Sequence, residues 1–143
     1  MLTDEKSFYP AFLGDLDSAK HEVIIESPYI TSGRLKTFRN IFTRLLDKHI
    51  ALYVITRDPR EHQAGMDRQS EAEIRWFEEN GIQTLLCTGN HHRKLAVIDR
   101  TILWEGSLNI LSHTHSREIM RRLEGRQVVE DTIKFLNFGS FLD

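Results

Sequence analysis

The most distinctive pattern of this chain begins at His92-Arg93-Lys94, passes through Asp99 and ends at Gly106-Ser107-Leu108-Asn109. As a pattern it reads H-x-K-x4-D-x6-G-S-x-N, which fixes six residue types at set spacings. Few chains carry such a pattern by chance, because each specified residue type is a small share of ordinary protein composition. This stretch is therefore the starting point for both the fold and the chemistry.

Two short apolar runs inside this stretch predict a β-hairpin. Residues 95–98 and 102–104 are rich in branched and aromatic side chains and are separated by a short polar turn. Residues two apart on a strand point to the same face. If the two runs pair, four polar side chains converge at one end of the hairpin: His92, Lys94, Ser107 and Asn109.

These four groups suit attack on a phosphodiester without a metal ion. The ammonium of Lys94 and the carboxamide of Asn109 can donate to the non-bridging oxygens of a phosphate. Ser107 offers a hydroxyl at the same end of the hairpin. A neutral imidazole is a competent nucleophile near neutral pH, so His92 can attack the phosphorus.

Two carboxylates complete the set of candidate site residues. Asp99 has the opposite strand parity to His92 and Lys94, so we expect it to support the site by hydrogen bonding or charge rather than to attack. A carboxylate is also needed to orient the imidazole and to hold its tautomer. Glu118, at the start of the last predicted strand, is the candidate for that role.

The rest of the chain alternates between helical and strand patterns. Thr3 is placed to cap a first helix, and the run Ser70-Glu71-Ala72-Glu73 fits a capping box for a later one. A polar loop over residues 57–68 is the candidate mobile segment. The predicted order is αβαβαβ followed by a hairpin, a strand and a helix. This order predicts an α/β fold with a mixed β-sheet flanked by helices on both faces.

Length and composition predict one globular domain. With 143 residues, 40% of them hydrophobic and 28% charged, the chain can bury an ordinary core, so we expect residues 1–143 to form a single domain. No apolar run could span a bilayer, and the first residues lack a secretory pattern. Cys87 is the only cysteine, which fits a reducing compartment. We therefore expect a cytoplasmic protein without a membrane partner.

Charge leaves two interpretations open. The net charge of -2 argues against a broadly basic nucleic-acid surface. The segment 34–60 is locally basic, and it could meet a polyanion or could be the solvated faces of a helix and a loop. Its basic residues are Arg34, Lys36, Arg39, Arg44, Lys48, Arg57 and Arg60.

The pattern from His92 to Asn109 resembles the HKD signature of the phospholipase D superfamily. The order of strands and helices around it also resembles that family's core domain, including Ser27-Pro28-Tyr29-Ile30 after the first predicted strand. The likeness covers most of the chain. It implies a phospholipase D-like domain that acts as a phosphodiesterase without a cofactor or metal ion.

The resemblance also implies roles for the individual residues. In such sites one histidine attacks phosphorus to form a covalent phosphohistidine, while a second protonates the leaving alcohol and later activates water. Here His92 would be the nucleophile or the acid, and Lys94 and Asn109 would bind the phosphate. Ser107 would support the phosphate pocket, and Glu118 would match the family's later acidic residue that orients a histidine.

Only one HKD motif is present in the chain. The chain resembles the short bacterial members of the family, in which a two-fold dimer brings two copies together. One imidazole cannot easily act as both nucleophile and leaving-group acid, so we infer a homodimer with a shared site and His92 of both chains across the axis. The two rings should titrate as a coupled pair and give a bell-shaped pH profile.

The expected substrate is nucleic acid, with DNA ahead of RNA, because short single-motif members resemble nucleases more than lipid enzymes. Small domains of this kind also occur next to helicases or other DNA-processing modules, and this chain could be a fragment of a longer protein. Two alternatives stay open. One is phospholipid cleavage or phosphatidyl transfer, and the other is a phosphate- or nucleic-acid-binding module without turnover.

A metal site is a further alternative, with His91, His113 and His115 as ligands and Cys87 as a thiolate. The spacing of these residues matches no common zinc set. We therefore expect neither a metal ion nor a cofactor.

Overall fold

The computed structural model describes residues 1–61, 64–113 and 115–142, without the side chains of residues 64–70. Within these residues the strands are β1 (Leu2–Asp4), β2 (Glu22–Glu26), β3 (Ala51–Arg57), β4 (Gln83–Cys87), β5 (Leu95–Ile98), β6 (Ile102–Gly106) and β7 (Ile119–Glu124). The helices are α1 (Phe8–Asp17), α2 (Ser32–Asp47), α3 (Ala64–Glu79) and α4 (Arg126–Phe135). Short 3-10 helices follow β3 and α4, at Pro59–Glu61 and Phe138–Ser140.

The strands form one mixed sheet with the order β1-β7-β6-β5-β2-β3-β4. Strands β2, β3 and β4 are parallel, because α2 and α3 carry the chain back across the sheet between them. Strand β5 runs antiparallel to β2, with Leu95 opposite Glu26. Strands β6, β7 and β1 continue the sheet with antiparallel pairing. The predicted α/β fold with a mixed sheet is confirmed.

Helices cover both faces of this sheet, as predicted. Helices α1, α2 and α3 pack on one face, where Ile25 and Ala96 contribute to the core. Helix α4 packs on the other face, with Ile24 and Leu95. Neighbouring residues of β2 and β5 thus point into different cores, which is the consequence of the two-residue period of a strand. Strands β2 and β5 are buried along their whole length. The residues just beyond their ends are therefore attached to a well-packed part of the sheet.

The predicted hairpin is present as β5 and β6. Its turn contains Asp99 and Arg100, both with a φ of 55°, the left-handed conformation that suits a tight turn between twisted strands. Trp104 on β6 is fully buried, and its Nε1 donates to Asp15 on α1 at 2.8 Å. The Phe8 ring lies edge-on to Trp104, with centroids 5.1 Å apart. The hairpin is therefore anchored on α1.

The predicted cap of the first helix is wrong. Thr3 lies in β1, where it pairs with Met120 and its Oγ1 donates to the Met120 carbonyl at 3.1 Å. The first helix begins only after Ser7. Three residues at the amino terminus carry too little periodicity to reveal a strand, so pairing with β7 could not be foreseen.

The third helix also begins earlier than its predicted capping box. Helix α3 starts at Ala64, so residues 70–73 lie inside it; the side chain of Ser70 is outside the described residues. The loop predicted over 57–68 contains a 3-10 helix and the first residues of α3, and residues 62 and 63 are likewise outside the description. None of the helices in the described part of the chain is long and apolar enough to cross a membrane.

Most of the basic residues between 34 and 60 are engaged within the chain. Arg34 lies over the ring of Tyr9, 3.8 Å from its centroid. Four further arginines form ion pairs with carboxylates, namely Arg39 with Glu73, Arg44 with Asp17, Arg57 with Glu61 and Arg60 with Asp58. This pairing favours the structural interpretation of the basic segment over a free polyanion surface.

Candidate active site

The hairpin brings the two halves of the motif together. Leu95 pairs with Glu105, and one step further the backbone N–H of Gly106 donates to the carbonyl of Lys94 at 3.3 Å. His92 and Lys94 lie just before β5, and Ser107 just after β6. The predicted convergence at one end of the hairpin is therefore present for the backbone, although these side chains lie outside the regular strands.

Gly106 is required by the close approach of β7. A Cβ atom at this position would collide with the carbonyl oxygen of Ile119 and would lie 2.9 Å from the Cα of Met120. The missing side chain lets Ser107 bond closely to the neighbouring strand. Its N–H donates to the Ile119 carbonyl at 2.9 Å, and its Oγ accepts from the Ile119 N–H at 3.0 Å. The glycine thus fixes the position of the serine.

Glu118 interacts with serine side chains in and next to the motif. Its Oε1 accepts a hydrogen bond from the Ser116 hydroxyl at 2.6 Å. The pKa of Glu118 is lowered, first by a hydrogen bond from the Ser107 side chain, then by Ser116, with the Lys94 charge acting in the same direction. These serine side chains and the Lys94 charge therefore favour the ionised form of Glu118.

His92 is exposed and has a free imidazole. The ammonium of Lys94 donates to the backbone carbonyl of His92 at 2.6 Å, and the His92 ring lies 6.4 Å from the ring of Tyr29. Among the described residues, no side chain hydrogen-bonds to the imidazole. Glu118, predicted to orient this ring, uses its carboxylate on serine hydroxyls within the single chain, so its orienting role stays a prediction.

Asn109 is held in place by its neighbours in the chain. Leu108 and Ile110 are buried on either side of it, and its backbone carbonyl accepts from the N–H of Ser112 at 3.0 Å. The side-chain Oδ1 of Asn109 is buried and accepts no hydrogen bond from the described part of the chain. This unpaired atom is an acceptor, so a phosphate, whose oxygens also accept, would be bound by the Nδ2 amino group of the carboxamide instead.

Asp99 is not brought to this site. It lies at the opposite end of β5, seven residues from His92, which is roughly 20 Å of extended chain. Its carboxylate accepts hydrogen bonds from the backbone N–H groups of Lys20, His21 and Glu22, at 2.9, 2.7 and 3.0 Å. Asp99 thus ties the start of β2 to the hairpin turn. The structure separates it from the other predicted site residues, and the support it gives is to the fold.

Tyr29, Arg57 and Glu61 lie outside the motif pattern but form a network next to it. The Arg57 guanidinium donates to the Tyr29 hydroxyl at 3.0 Å and to Glu61 at 3.1 Å. Glu61 also accepts from the N–H of Gly89, and this bond, followed by the one from Arg57, lowers the pKa of Glu61. Together they hold the loop that leads into His92. Only the four-residue spacing of Arg57 and Glu61 hints at part of this network.

An apolar groove of about 710 Å³ adjoins the site. It lies between α4 and the β6–β7 side of the sheet, and it reaches Lys94 and Gly106. Its apolar lining includes several exposed side chains, namely Leu2, Ile119, Val128 and Phe135.

The residues of the metal alternative do not form one cluster. His91 contacts Glu26, with Nε2 and Oε2 3.0 Å apart, whereas the rings of His113 and His115 lie 6.2 Å from each other. No group of three suitable ligands occurs in the part of the chain that the structure describes. The pKa of Cys87 is raised, mainly by burial and then by the charge of Glu26, which disfavours the thiolate that a metal would need.

Comparison with known families places the chain. Residues 12–137 match the family model described as "Cardiolipin synthase, PLD-like domain". The match covers most of the sequence, and the chain belongs to this family of phospholipase D-like domains. No curated protein sequence matches the chain.

Solved structures share the fold at low sequence identity. Nuc from Salmonella typhimurium, a phospholipase D family member, is 16% identical with a TM-score of 0.77, over 94% of this chain and 89% of that one. NucT from Helicobacter pylori is 14% identical with a TM-score of 0.68, over 94% and 93%. Polyphosphate kinase from Porphyromonas gingivalis is 10% identical with a TM-score of 0.73, over 96% and 25%. These differently named proteins share the fold, so the fold alone does not select a substrate.

Proposed function

We propose that this protein is a metal-independent phosphodiesterase that cleaves nucleic acid, DNA before RNA, through a covalent phosphohistidine on His92. The observation that carries the proposal is the exposed imidazole of His92, to which no side chain of the described residues hydrogen-bonds. The ammonium of Lys94 lies close by, because it donates to the backbone carbonyl of His92. A nucleophile must be accessible and a phosphate ligand must be rigid, and this pair meets both needs.

In the proposed reaction, a ring nitrogen of His92 attacks phosphorus while the bond to the leaving oxygen breaks. The ammonium of Lys94 and the Nδ2 amino group of Asn109 donate to the non-bridging oxygens, where negative charge develops. Ser107, fixed on Ile119, supports the phosphate pocket. Glu118 remains our candidate for orienting the imidazole.

The leaving oxygen needs a proton from the side opposite to the nucleophile. We infer that a second copy of the chain supplies it, so that His92 of both subunits flank one phosphate in a two-fold homodimer. The second ring then removes a proton from the water that hydrolyses the phosphohistidine. One ring must be neutral and the other protonated, so cleavage should follow a bell-shaped pH profile.

The continuous sheet supports treating residues 1–143 as one catalytic unit. The proposal includes the case in which this unit is part of a longer protein that processes DNA, beside a helicase or another module.

Lipid cleavage or phosphatidyl transfer is the second candidate, and one observation favours it. The groove that reaches Lys94 has an apolar lining, including Leu2, Ile119 and Val128, which could take an acyl chain. Against it, Phe135 in the same groove is 87% exposed, so much of the apolar surface is not enclosed.

The deciding experiment incubates purified protein in EDTA with single-stranded DNA, duplex DNA, RNA and phospholipid vesicles, with His92→Ala as the control. We expect wild-type protein to cleave DNA and the variant to be inactive. Cleavage of phospholipid alone would establish the second candidate instead. If neither protein cleaves any of these substrates, the remaining interpretation is a phosphate- or nucleic-acid-binding module. Equal cleavage by both proteins would indicate a contaminating enzyme.

A further inference from the structure

Glu26 is a fully buried carboxylate at the end of β2. It accepts two hydrogen bonds from Arg93, from Nε to Oε1 at 3.0 Å and from Nη2 to Oε2 at 3.0 Å. Its Oε2 also lies 3.0 Å from Nε2 of His91. A carboxylate can only accept hydrogen bonds, so this ring nitrogen of His91 carries the hydrogen.

The two residues that Glu26 holds are the neighbours of His92 on either side. Glu26 pairs with Leu95 and shares the α4 face of the sheet with it. Residues of an extended segment alternate in direction, so anchoring positions 91 and 93 on this face directs position 92 away from it. In agreement, His92 is exposed and lies next to the Tyr29 ring rather than in the Glu26 cluster.

The carboxylate of Glu26 has no access to water. A buried charge is retained only when it is paired and hydrogen-bonded, and both oxygens of Glu26 are used here. Arg93 gives a two-point contact, which fixes its backbone in direction as well as in distance. The segment that carries His92 lies outside the regular strands, so these contacts, rather than sheet pairing, hold it.

We propose that Glu26 is a positioning residue for His92, acting through His91 and Arg93. It touches neither the nucleophile nor the substrate; it fixes the direction in which the imidazole leaves the backbone. The inference rests on the proposed function of His92 as the reacting group. Glu26 lies outside the motif, yet the direction of the His92 side chain within the motif depends on it.

The chain offers a matched control on the same strand. Glu22 lies at the other end of β2, on the same face, and is also nearly buried. Arg100 binds it at two points, from Nε at 2.6 Å and from Nη2 at 3.1 Å. The substitutions Glu26→Gln and Glu22→Gln therefore each remove a carboxylate that an arginine binds at two points, but only Glu26 holds the neighbours of His92.

The test measures cleavage and thermal unfolding for both variants. If Glu26 positions His92, Glu26→Gln lowers kcat by roughly tenfold or more while KM stays within about twofold, because the substrate is still bound but the nucleophile is misaligned. Glu22→Gln destabilises the fold to a similar degree and keeps kcat near the wild-type value. Equal kcat losses in both variants, or no loss in Glu26→Gln, would overturn the proposal.

A second measurement does not depend on turnover. The ring resonances of His92 in protein labelled with 15N-histidine, assigned by their absence in His92→Ala, should shift in Glu26→Gln and stay in place in Glu22→Gln. Unchanged His92 resonances in folded Glu26→Gln would contradict the positioning role. If wild-type protein cleaves no substrate, the proposed function fails, and these spectra still decide whether Glu26 orients the ring.

Discussion

The ammonium of Lys94 is bound to the backbone carbonyl of His92 at 2.6 Å, so the two motif residues with proposed chemical roles hold each other in place. The spacing of two residues is what makes this contact geometrically easy on an extended chain. It also explains why the separation of histidine and lysine in the motif matters physically.

Replacing Lys94 with methionine keeps an unbranched side chain but removes the positive charge. We expect kcat to fall by roughly 10²–10³-fold, as for the loss of one donor to a developing oxyanion. The measurement is steady-state cleavage in EDTA, with Lys20→Met as the control because Lys20 is exposed at the far end of β2. Retention of more than about half the wild-type kcat by Lys94→Met would contradict the phosphate-binding role.

Asp99 should matter for stability and not for chemistry. Asp99→Ala leaves three backbone N–H groups without their acceptor, so we expect a loss of about 2–4 kcal/mol in the free energy of unfolding. Urea denaturation measures this loss. The kcat of the folded fraction should stay close to that of the wild type. A stable but inactive Asp99→Ala protein would show that the residue acts at the site after all.

Gly106 should tolerate no side chain. Gly106→Ala places a methyl group against the Ile119 carbonyl, so we expect a loss of about 1–3 kcal/mol in stability, as in overpacked cores, and reduced cleavage because Ser107 shifts. Gly14→Ala is the matched control, since nothing lies within 4 Å of a Cβ there. In the middle of α1 it should stabilise by about 0.5–1 kcal/mol. Equal effects of the two changes would contradict the close approach of β7.

Glu118 gives a pH dependence whose sign is fixed by its lowered pKa. The unfolded chain binds the proton more readily than the folded one, so the stability from the ionised carboxylate is present at neutral pH. It is lost as the pH falls from the ordinary value of 4.5 through the lower folded value. Glu118→Gln should therefore lower Tm at pH 7, and the difference from wild type should shrink in acid.

Thermal unfolding between pH 7 and pH 3 measures this difference. Glu71→Gln, a change at an exposed position of α3, provides the control. A Tm difference that stays constant or grows in acid would contradict the stabilisation of ionised Glu118 by the serine side chains.

The fold could be predicted largely because its strands are short, apolar and separated by clear turns. The hairpin of β5 and β6 and the buried strand β2 follow directly from such local patterns. Strand β1 could not be predicted, since it exists only through pairing with β7, which is distant in sequence. The predicted start of α3 is wrong because the sequence at Ser70 fits a capping box, although the six residues before it are already helical.

The sequence predicts those parts of the candidate site that depend on fixed spacing within the motif. It does not predict the parts that depend on contacts between residues far apart in the chain. The motif spacing brought Lys94 and Gly106 together across the hairpin. The part played by Glu26 could not be predicted, because the residue lies 67 positions from Arg93 and reads as an ordinary strand residue. Asp99 belongs to the motif in sequence, yet its carboxylate binds the backbone at the opposite end of the strand.

Subunit mixing distinguishes an active site shared by two subunits from one contained in a single chain. Wild-type protein and His92→Ala are unfolded together, refolded in varying ratios, and assayed for DNA cleavage in EDTA. If two His92 rings from two subunits are needed for each phosphate, activity falls as the square of the wild-type fraction, because mixed dimers are inactive. A straight-line decrease would mean that each chain works alone, and it would contradict the shared site.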